Sequence, residues 1–185
     1  MSAEEANQEK LSEKEQEKRL IAKLESNSEA VVIKALEDTK HVGTPAMLKS
    51  IMSIVKREDW LEGKSKALEV LSSLKDEEAI DRYFKLIHEK EFQDYTASYI
   101  SAIWLAGMDA SNKVSELIAL SLKSGYQAIL EAFTVLDNLE NNISEKQLME
   151  SQVLCKEYLD KHSEGPEVEL VKTLQSTLEG MDSYE

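Results

Sequence analysis

The sequence is poor in the residues that break helices, form disulfides or anchor a chain in a membrane. Its 185 residues include two prolines, six glycines and one cysteine. Because Cys155 is alone, an internal disulfide is excluded, which is typical of a reducing compartment. The apolar stretch Ala102–Ala106 is far shorter than the roughly 20 residues that span a bilayer. Residues 1–19 contain no apolar run of the signal-peptide kind, and we expect a cytoplasmic protein.

Basic residues are scarce relative to acidic ones. The chain holds 22 Lys and Arg against 36 Asp and Glu, for a net charge of −14. Most of the excess lies in residues 109–185, which carry 15 acids and 6 bases. Such a field repels nucleic acid and anionic lipid, so we expect neither as a partner. It favours basic partners, or it serves solubility alone.

The apolar residues recur at helical spacing, and no segment has the strict alternation of a half-buried strand. About ten helices joined by short turns are therefore predicted, pairing as antiparallel neighbours. Residues before these helices have the chemistry of N-terminal caps, and glycines mark several ends. The predicted caps are Ser26 with Glu29, Thr44 with Pro45, Asp59 with Glu62, Asp76, Asp94, and Ser144 with Gln147; the predicted breaks are Gly43, Gly125 and Gly165 with Pro166.

A short phrase with a central alanine returns about every thirty residues. It reads Ile33–Leu36, Ser65–Leu68, Ile100–Ile103 and Leu130–Phe133, and its alanines are 32, 35 and 30 residues apart. An alanine lets a neighbouring helix approach closely, while the large residue beside it fills the next groove. Repeats of this length are typical of stacked helical hairpins. Each hairpin cannot bury its apolar face alone, so stacking creates the core.

The stretch Lys34–Leu48 resembles a HEAT repeat, with alanine and leucine, then glycine, a polar turn with proline, and an apolar second helix. The later units, around Ala67, Ala102 and Ala132, keep the spacing. The resemblance implies an all-α fold, a right-handed alpha-alpha superhelix that forms a short HEAT-like solenoid of about four to five helical hairpins. We expect a charged N-terminal segment at 1–25, partly disordered or a capping helix, which docks by its last turns through Leu20, Ile21 and Leu24. The HEAT-like domain would span 26–180, with a polar tail at 181–185.

Motifs of catalysis or of cofactor and metal binding are not found in the sequence. It has no phosphate-binding glycine loop, nucleophile elbow or His-Glu-x-x-His motif. His41, His88 and His162 fall near predicted helix ends, where a cation complements the helix dipole. Cys155 lies among apolar residues of a predicted helix, which favours a core position. We therefore expect no catalytic residue, no cofactor and no metal.

The candidate binding residues are those that do not repeat. The predicted helix 45–57 has three bases and no acid, Arg82 and Lys85 extend this charge, and Trp60 could anchor a partner. The candidate protein-binding set is Lys49, Lys56, Arg57, Trp60, Arg82 and Lys85. An ordinary solvated surface is the alternative interpretation of these charges.

By fold-level resemblance, the leading hypothesis is a protein–protein interaction scaffold or adaptor that binds a protein or peptide. A structural subunit of a larger assembly is the second hypothesis. An enzyme on a HEAT-like scaffold, such as a DNA glycosylase-like or pigment lyase-like protein, is the third. The acidic chain and its small basic region argue against the glycosylase.

Overall fold

The computed structural model describes residues 3–42, 45–74, 77–139, 142–181 and 183–184, with side chains described for 14–39, 45–74, 78–139 and 142–181. Ten α-helices lie in these ranges, as the sequence predicts. They are α1 (Ala3–Leu24), α2 (Glu29–Val42), α3 (Leu48–Val55), α4 (Leu61–Leu71), α5 (Glu77–Ile87), α6 (Thr96–Ala106), α7 (Val114–Ser124), α8 (Tyr126–Asp137), α9 (Glu145–Lys161) and α10 (Pro166–Glu179).

Three short 3-10 helices and one pair of two-residue strands complete the described elements. The 3-10 helices are Pro45–Met47, Lys90–Tyr95 and Ser111–Lys113. Strand β1 (Ile143–Ser144) pairs in parallel with β2 (Ser183–Tyr184). Two residues are too few to show strand alternation in a sequence, which is why this pair was not predicted. The all-α class is confirmed.

Two compact units make up the chain, residues 1–86 and residues 87–185. The predicted division into 1–25, 26–180 and 181–185 stays a prediction. In the first unit α2 packs on α1 and α4, and α3 packs on α4 and α1. Leu20 and Leu24 at the end of α1 are buried, and Ile21 is half-buried. The expectation that this segment docks by its last turns is thus confirmed for both leucines.

In the second unit the helices pack in two rows. Helix α8 contacts both α6 and α10, while α7 contacts α9. Helices α6 and α7, α7 and α8, and α9 and α10 are also in contact, so most neighbours in sequence are neighbours in space; α8 and α9 are the exception in this unit. Short connections explain these contacts, because a short loop holds two consecutive helices side by side.

The four repeated alanines are all buried. Ala35, Ala67, Ala102 and Ala132 are at most 1% exposed. The helices that carry them pack on each other within each unit, α2 on α4 and α6 on α8. The large residues that follow are less uniform, since Leu36 and Ile103 are buried while Leu68 and Phe133 are half-buried.

Caps made by residues close in sequence were predicted correctly at several places. Ser144 Oγ accepts the backbone N–H of Gln147 at 3.3 Å, as expected for the start of α9. Gly125 has φ 87° and Gly165 has φ 121°, conformations that L side chains rarely adopt. Pro166 opens α10 immediately after Gly165.

Other predicted caps are wrong. Helix α4 begins after Trp60 without a side-chain cap, so Asp59 does not cap it. Glu29 Oε1 instead accepts the N–H of Gly63, in the first turn of α4, at 3.0 Å. Helix α6 begins after Tyr95, also without one, because the 3-10 helix Lys90–Tyr95 continues directly into it and leaves Asp94 inside a helical turn.

The remaining predicted caps have different outcomes. Ser26 Oγ accepts the N–H of Ser28 at 3.2 Å, two residues ahead, rather than closing a box with Glu29. Gly43, Thr44 and Asp76 lie outside the described residues.

Replacing a repeated alanine by leucine should overpack the helix contacts. We expect Ala67→Leu and Ala102→Leu each to lower the free energy of unfolding by about 1–3 kcal/mol, because no space surrounds these buried methyl groups. Ala30→Leu on the exposed side of α2 is the matched control. Thermal and denaturant unfolding would measure the change, and variants as stable as the parent would contradict this placement.

Candidate functional site

A groove of about 360 Å³ in the first unit collects several of the candidate binding residues. Its walls come from the end of α1, from α3 and from α5. The lining residues are Ile21, Leu24, Glu25, Ala46, Lys49, Ser50, Ser53, Ile54, Arg57 and Arg82. We refer to it as the basic groove.

The basic groove brings together three of the six candidate residues. Lys49 and Arg82 are exposed, and Arg57 is half-buried. Lys56, Trp60 and Lys85 do not line it. Lys85 is exposed on α5, three positions after Arg82 on the same helix. The candidate set is therefore divided, with half of it at the groove.

Arg57 is held in place from two sides. Its Nη1 donates to the backbone oxygen of Ser26 at 3.2 Å. Its guanidinium carbon lies 4.0 Å from the ring centroid of Trp60, within the range of a cation–π interaction. Trp60 is half-buried, and Arg57 covers one face of its ring. Trp60 thus supports Arg57.

The turn that carries Arg57 and Trp60 is fixed by hydrogen bonds at each end. Arg57 N–H donates to the Ile54 carbonyl at the end of α3, and Trp60 N–H donates to the Arg57 carbonyl. On the far side, the Glu29 carboxylate holds Gly63 in the first turn of α4. This bond satisfies an amide that would otherwise lack a partner within the helix. Together these contacts fix the position of the Arg57 guanidinium in the unbound protein.

Cations outnumber acids in the basic groove. The described lining contains three cationic side chains, Lys49, Arg57 and Arg82, and one carboxylate, Glu25. Ser50 Oγ donates to Glu25 Oε1 at 3.0 Å, which orients that carboxylate across α1 and α3. The apolar part of the lining includes Leu24 and Ile54, both buried. The groove is therefore positive and can receive a carboxylate-bearing segment.

The groove also contains residues that were not selected from the sequence. Ile21 and Leu24 were expected only to dock α1, and Glu25, Ser50 and Ser53 were not singled out. The apolar cluster at the end of the charged segment 1–25 was the available signal, since it shows that this end meets another element. Which element it meets depends on contacts between residues far apart in sequence.

Two of the three histidines, His88 and His162, have described partners within the second unit. His88 Nε2 lies 2.9 Å from Glu116 Oε1. His162 Nδ1 lies 2.8 Å from the Tyr158 carbonyl oxygen, and its ring stacks on Tyr158 with centroids 4.1 Å apart. His162 thus ends α9, as predicted, whereas His88 pairs across to α7. The side chain of His41 lies outside the described residues.

Metal-binding groups and membrane-spanning helices are both absent from the described part of the chain. Groups of three or more His, Cys, Asp or Glu side chains that could hold a metal ion are not found there. None of its helices combines the length and the apolar character needed to cross a membrane.

Cys155 is a core residue. Its side chain is fully buried on α9, as the sequence predicts. Burial raises the pKa of the Cys155 thiol to about 12 because the thiolate would lose its hydration. Since the thiolate is the reactive form, this cysteine is inert in the folded protein.

We expect Cys155 to resist the thiol reagent 5,5′-dithiobis(2-nitrobenzoate) in the native protein. Between about pH 7 and pH 9 the native protein should react far more slowly than the unfolded chain at the same pH, because only a minute fraction of the buried thiol is ionised there, whereas an unfolded thiol ionises near 8.5. In concentrated guanidinium chloride, one thiol per chain should react at once, with a rate that rises with pH. Rapid reaction of the native protein would contradict the burial of this side chain.

Comparison of the chain with protein-family models, curated proteins and solved structures finds no match.

Proposed function

We propose that this chain is a non-catalytic protein-binding module, whose helical hairpins form a right-handed superhelix of the HEAT type. In this proposal, the basic groove binds an acidic segment of a partner protein. The observation that carries it is the grouping of Lys49, Arg57 and Arg82 around one groove. The rest of the chain is strongly acidic, so a positive groove is a local exception.

The packing of the second unit supports the hairpin part of the proposal. Rows made by α6, α8 and α10 and by α7 and α9 are what consecutive hairpins produce when each one packs on the next. Buried alanines at the centres of α2, α4, α6 and α8 repeat the same contact chemistry. This agrees with the HEAT resemblance of Lys34–Leu48.

The chemistry of the groove favours carboxylates as ligands. Arginine presents a planar fork of donors that matches a carboxylate, and Arg57 is already oriented by Ser26 and Trp60. Less side-chain entropy is lost when such a group binds. Arg82 is exposed and has no ion pair with the described residues. It can therefore engage a partner without giving up an existing contact.

Charge reversal at the groove tests this function. We expect the double variant Lys49→Glu and Arg82→Glu to weaken binding of an acidic partner about tenfold or more, since attraction is replaced by repulsion. Both side chains are exposed, so the fold should be retained. Lys85→Glu, a single charge reversal on α5 outside the groove lining, is the control for each of the two substitutions.

The measurement has two stages. Tagged parent, double variant and control are first used to isolate partners from the native cell, with quantitative mass spectrometry. Calorimetry at two salt concentrations then measures each partner that the parent and the control retain but the double variant loses. A weaker affinity at high salt is expected, because exposed charges are screened. Equal retention by all three proteins, or no retained protein, would overturn the proposal.

A further inference from the structure

Helix α9 has apolar residues on two faces, and only one face is covered within its unit. Leu148 and Cys155 belong to the buried face. Met149 and Val153, four residues apart and therefore on one side of the helix, are 58% and 53% exposed. A solvated helix face normally carries polar side chains. The second apolar stripe of α9 is thus a surface without an assigned role.

This stripe forms one wall of a groove between α7 and α9, which lie side by side in the second unit. The first part of the groove has a volume of about 560 Å³ and is lined by Ser115, Glu116, Ala119, Met149, Glu150, Val153 and Leu154. A second part of about 520 Å³ shares Ala119 and Leu154 and continues to Leu122, Lys123, Gly125, Glu157, Tyr158, Lys161, His162 and Glu167. We call the two parts together the α7–α9 groove.

The length of the α7–α9 groove suits a helix of several turns. It follows α9 from Met149 to His162, which corresponds to about 20 Å at the rise of an α-helix. Its walls are mostly side chains of α7 and α9, so they offer no open strand edge to which an extended peptide could add. Two neighbouring helices with an apolar furrow between them are the geometry of helix-in-groove recognition.

Two hydrogen bonds fix one end of the groove. The Ser115 N–H in the first turn of α7 donates to Gln147 Oε1 at 2.8 Å. Ser115 Oγ donates to Glu150 Oε2 at 2.9 Å. These bonds tie α7 to α9 and position the Glu150 carboxylate at the rim. A furrow held in this way is formed before a ligand binds, which lowers the entropic cost of binding.

The rim of the groove is acidic in its first part. In its first part, Glu116 on α7 and Glu150 on α9 are the charged residues among the described lining. His88 lies 2.9 Å from Glu116, and Lys146 lies 3.8 Å from Glu150, yet both carboxylates remain partly exposed. The second part adds two carboxylates, two lysines and one histidine: Glu157, Glu167, Lys123, Lys161 and His162. Carboxylates therefore outnumber lysines along the groove.

This charge decides between the possible occupants. A second copy of the chain docked through the same face would place four glutamates, Glu116 and Glu150 of each copy, in one interface, and an excess of like charge there opposes association. A helix with Lys or Arg beside its apolar stripe would complement both the floor and the rim. We propose that the α7–α9 groove binds a basic amphipathic helix of a partner protein, with apolar residues at helical spacing.

This inference is independent of the proposed function, because it concerns another unit and the opposite charge. The probe is a fluorescein-labelled helical peptide of leucine and lysine, with leucines at positions i, i+3, i+4 and i+7. Two comparison peptides are needed. One replaces every lysine by glutamate, and the other keeps the composition but scrambles the leucine positions. Fluorescence anisotropy reports binding of each peptide to the full chain.

The variant Met149→Gln with Val153→Gln removes the apolar wall that α9 contributes to the groove, without changing the net charge. Both side chains are more than half exposed, so the fold should persist. We expect about tenfold weaker binding or more, since two central anchors are lost. Leu105→Gln on α6, where the leucine is 55% exposed, is the matched control and should bind like the parent. Glu150→Gln should weaken binding and reduce its salt dependence.

Several outcomes would overturn the inference. Equal binding of the glutamate peptide or the scrambled peptide would show that neither the charge nor the helical spacing is recognised. Equal loss in Leu105→Gln would show that the contact lies elsewhere. A dimer in sedimentation experiments that Met149→Gln with Val153→Gln dissociates would identify a second copy as the occupant. The variant Lys49→Glu with Arg82→Glu should leave peptide binding intact, so failure of either proposal is distinguishable from failure of the other.

Discussion

The close approach of short helices at small side chains is the constraint on which the rest of this structure depends. Most of its helices have 8 to 14 residues, a length at which an isolated helix is marginal in water. Their stability must come from contact with neighbouring helices. The buried alanines of α2, α4, α6 and α8 allow that contact, because a larger side chain would hold the axes apart. Where helices pack this closely, their remaining faces become surfaces available for binding.

The binding surfaces follow from this arrangement. Residues that pack α3 and α9 into their units lie on one side of each helix, and more exposed residues lie on another. On α3, Lys49 and Ser53 line the basic groove, while Ile51 and Met52 are buried. On α9, Met149 and Val153 line the α7–α9 groove opposite the buried Cys155. Each of these helices therefore contributes both to the core and to the lining of a groove.

Local features of the sequence predicted the fold class and many helix boundaries, because short-range chemistry determines them. Ser144 and Gln147 are three residues apart, so their cap could be recognised directly. Glu29 caps α4 from 34 residues away, and no local pattern reveals such a partner. Trp60 as an anchor for a partner stays a prediction, and its ring also supports Arg57. The Glu29 bond forms only when distant segments meet.

The same limit applies to the faces of α9. Its sequence contains Leu148, Met149, Val153 and Leu154, and helical periodicity alone divides them between two apolar stripes. Which stripe becomes core depends on where α7 and α10 lie, and that information is spread over the whole second unit. Charged residues were easier to interpret, because the excess of acid in residues 109–185 predicts basic partners whatever the packing. The charge of the groove was thus foreseeable, while its position was not.

The two grooves differ in sign, and this difference bears on selectivity more than their size does. Lys49, Arg57 and Arg82 face one groove, and Glu116, Glu150 and Glu157 face the other. A segment that complements one of them is repelled by the other, so discrimination results from unfavourable pairing as well as from favourable contacts. Apolar floors alone would accept many helices of similar shape. If both proposals hold, charge at the rim is therefore the feature that distinguishes the partners of the two grooves.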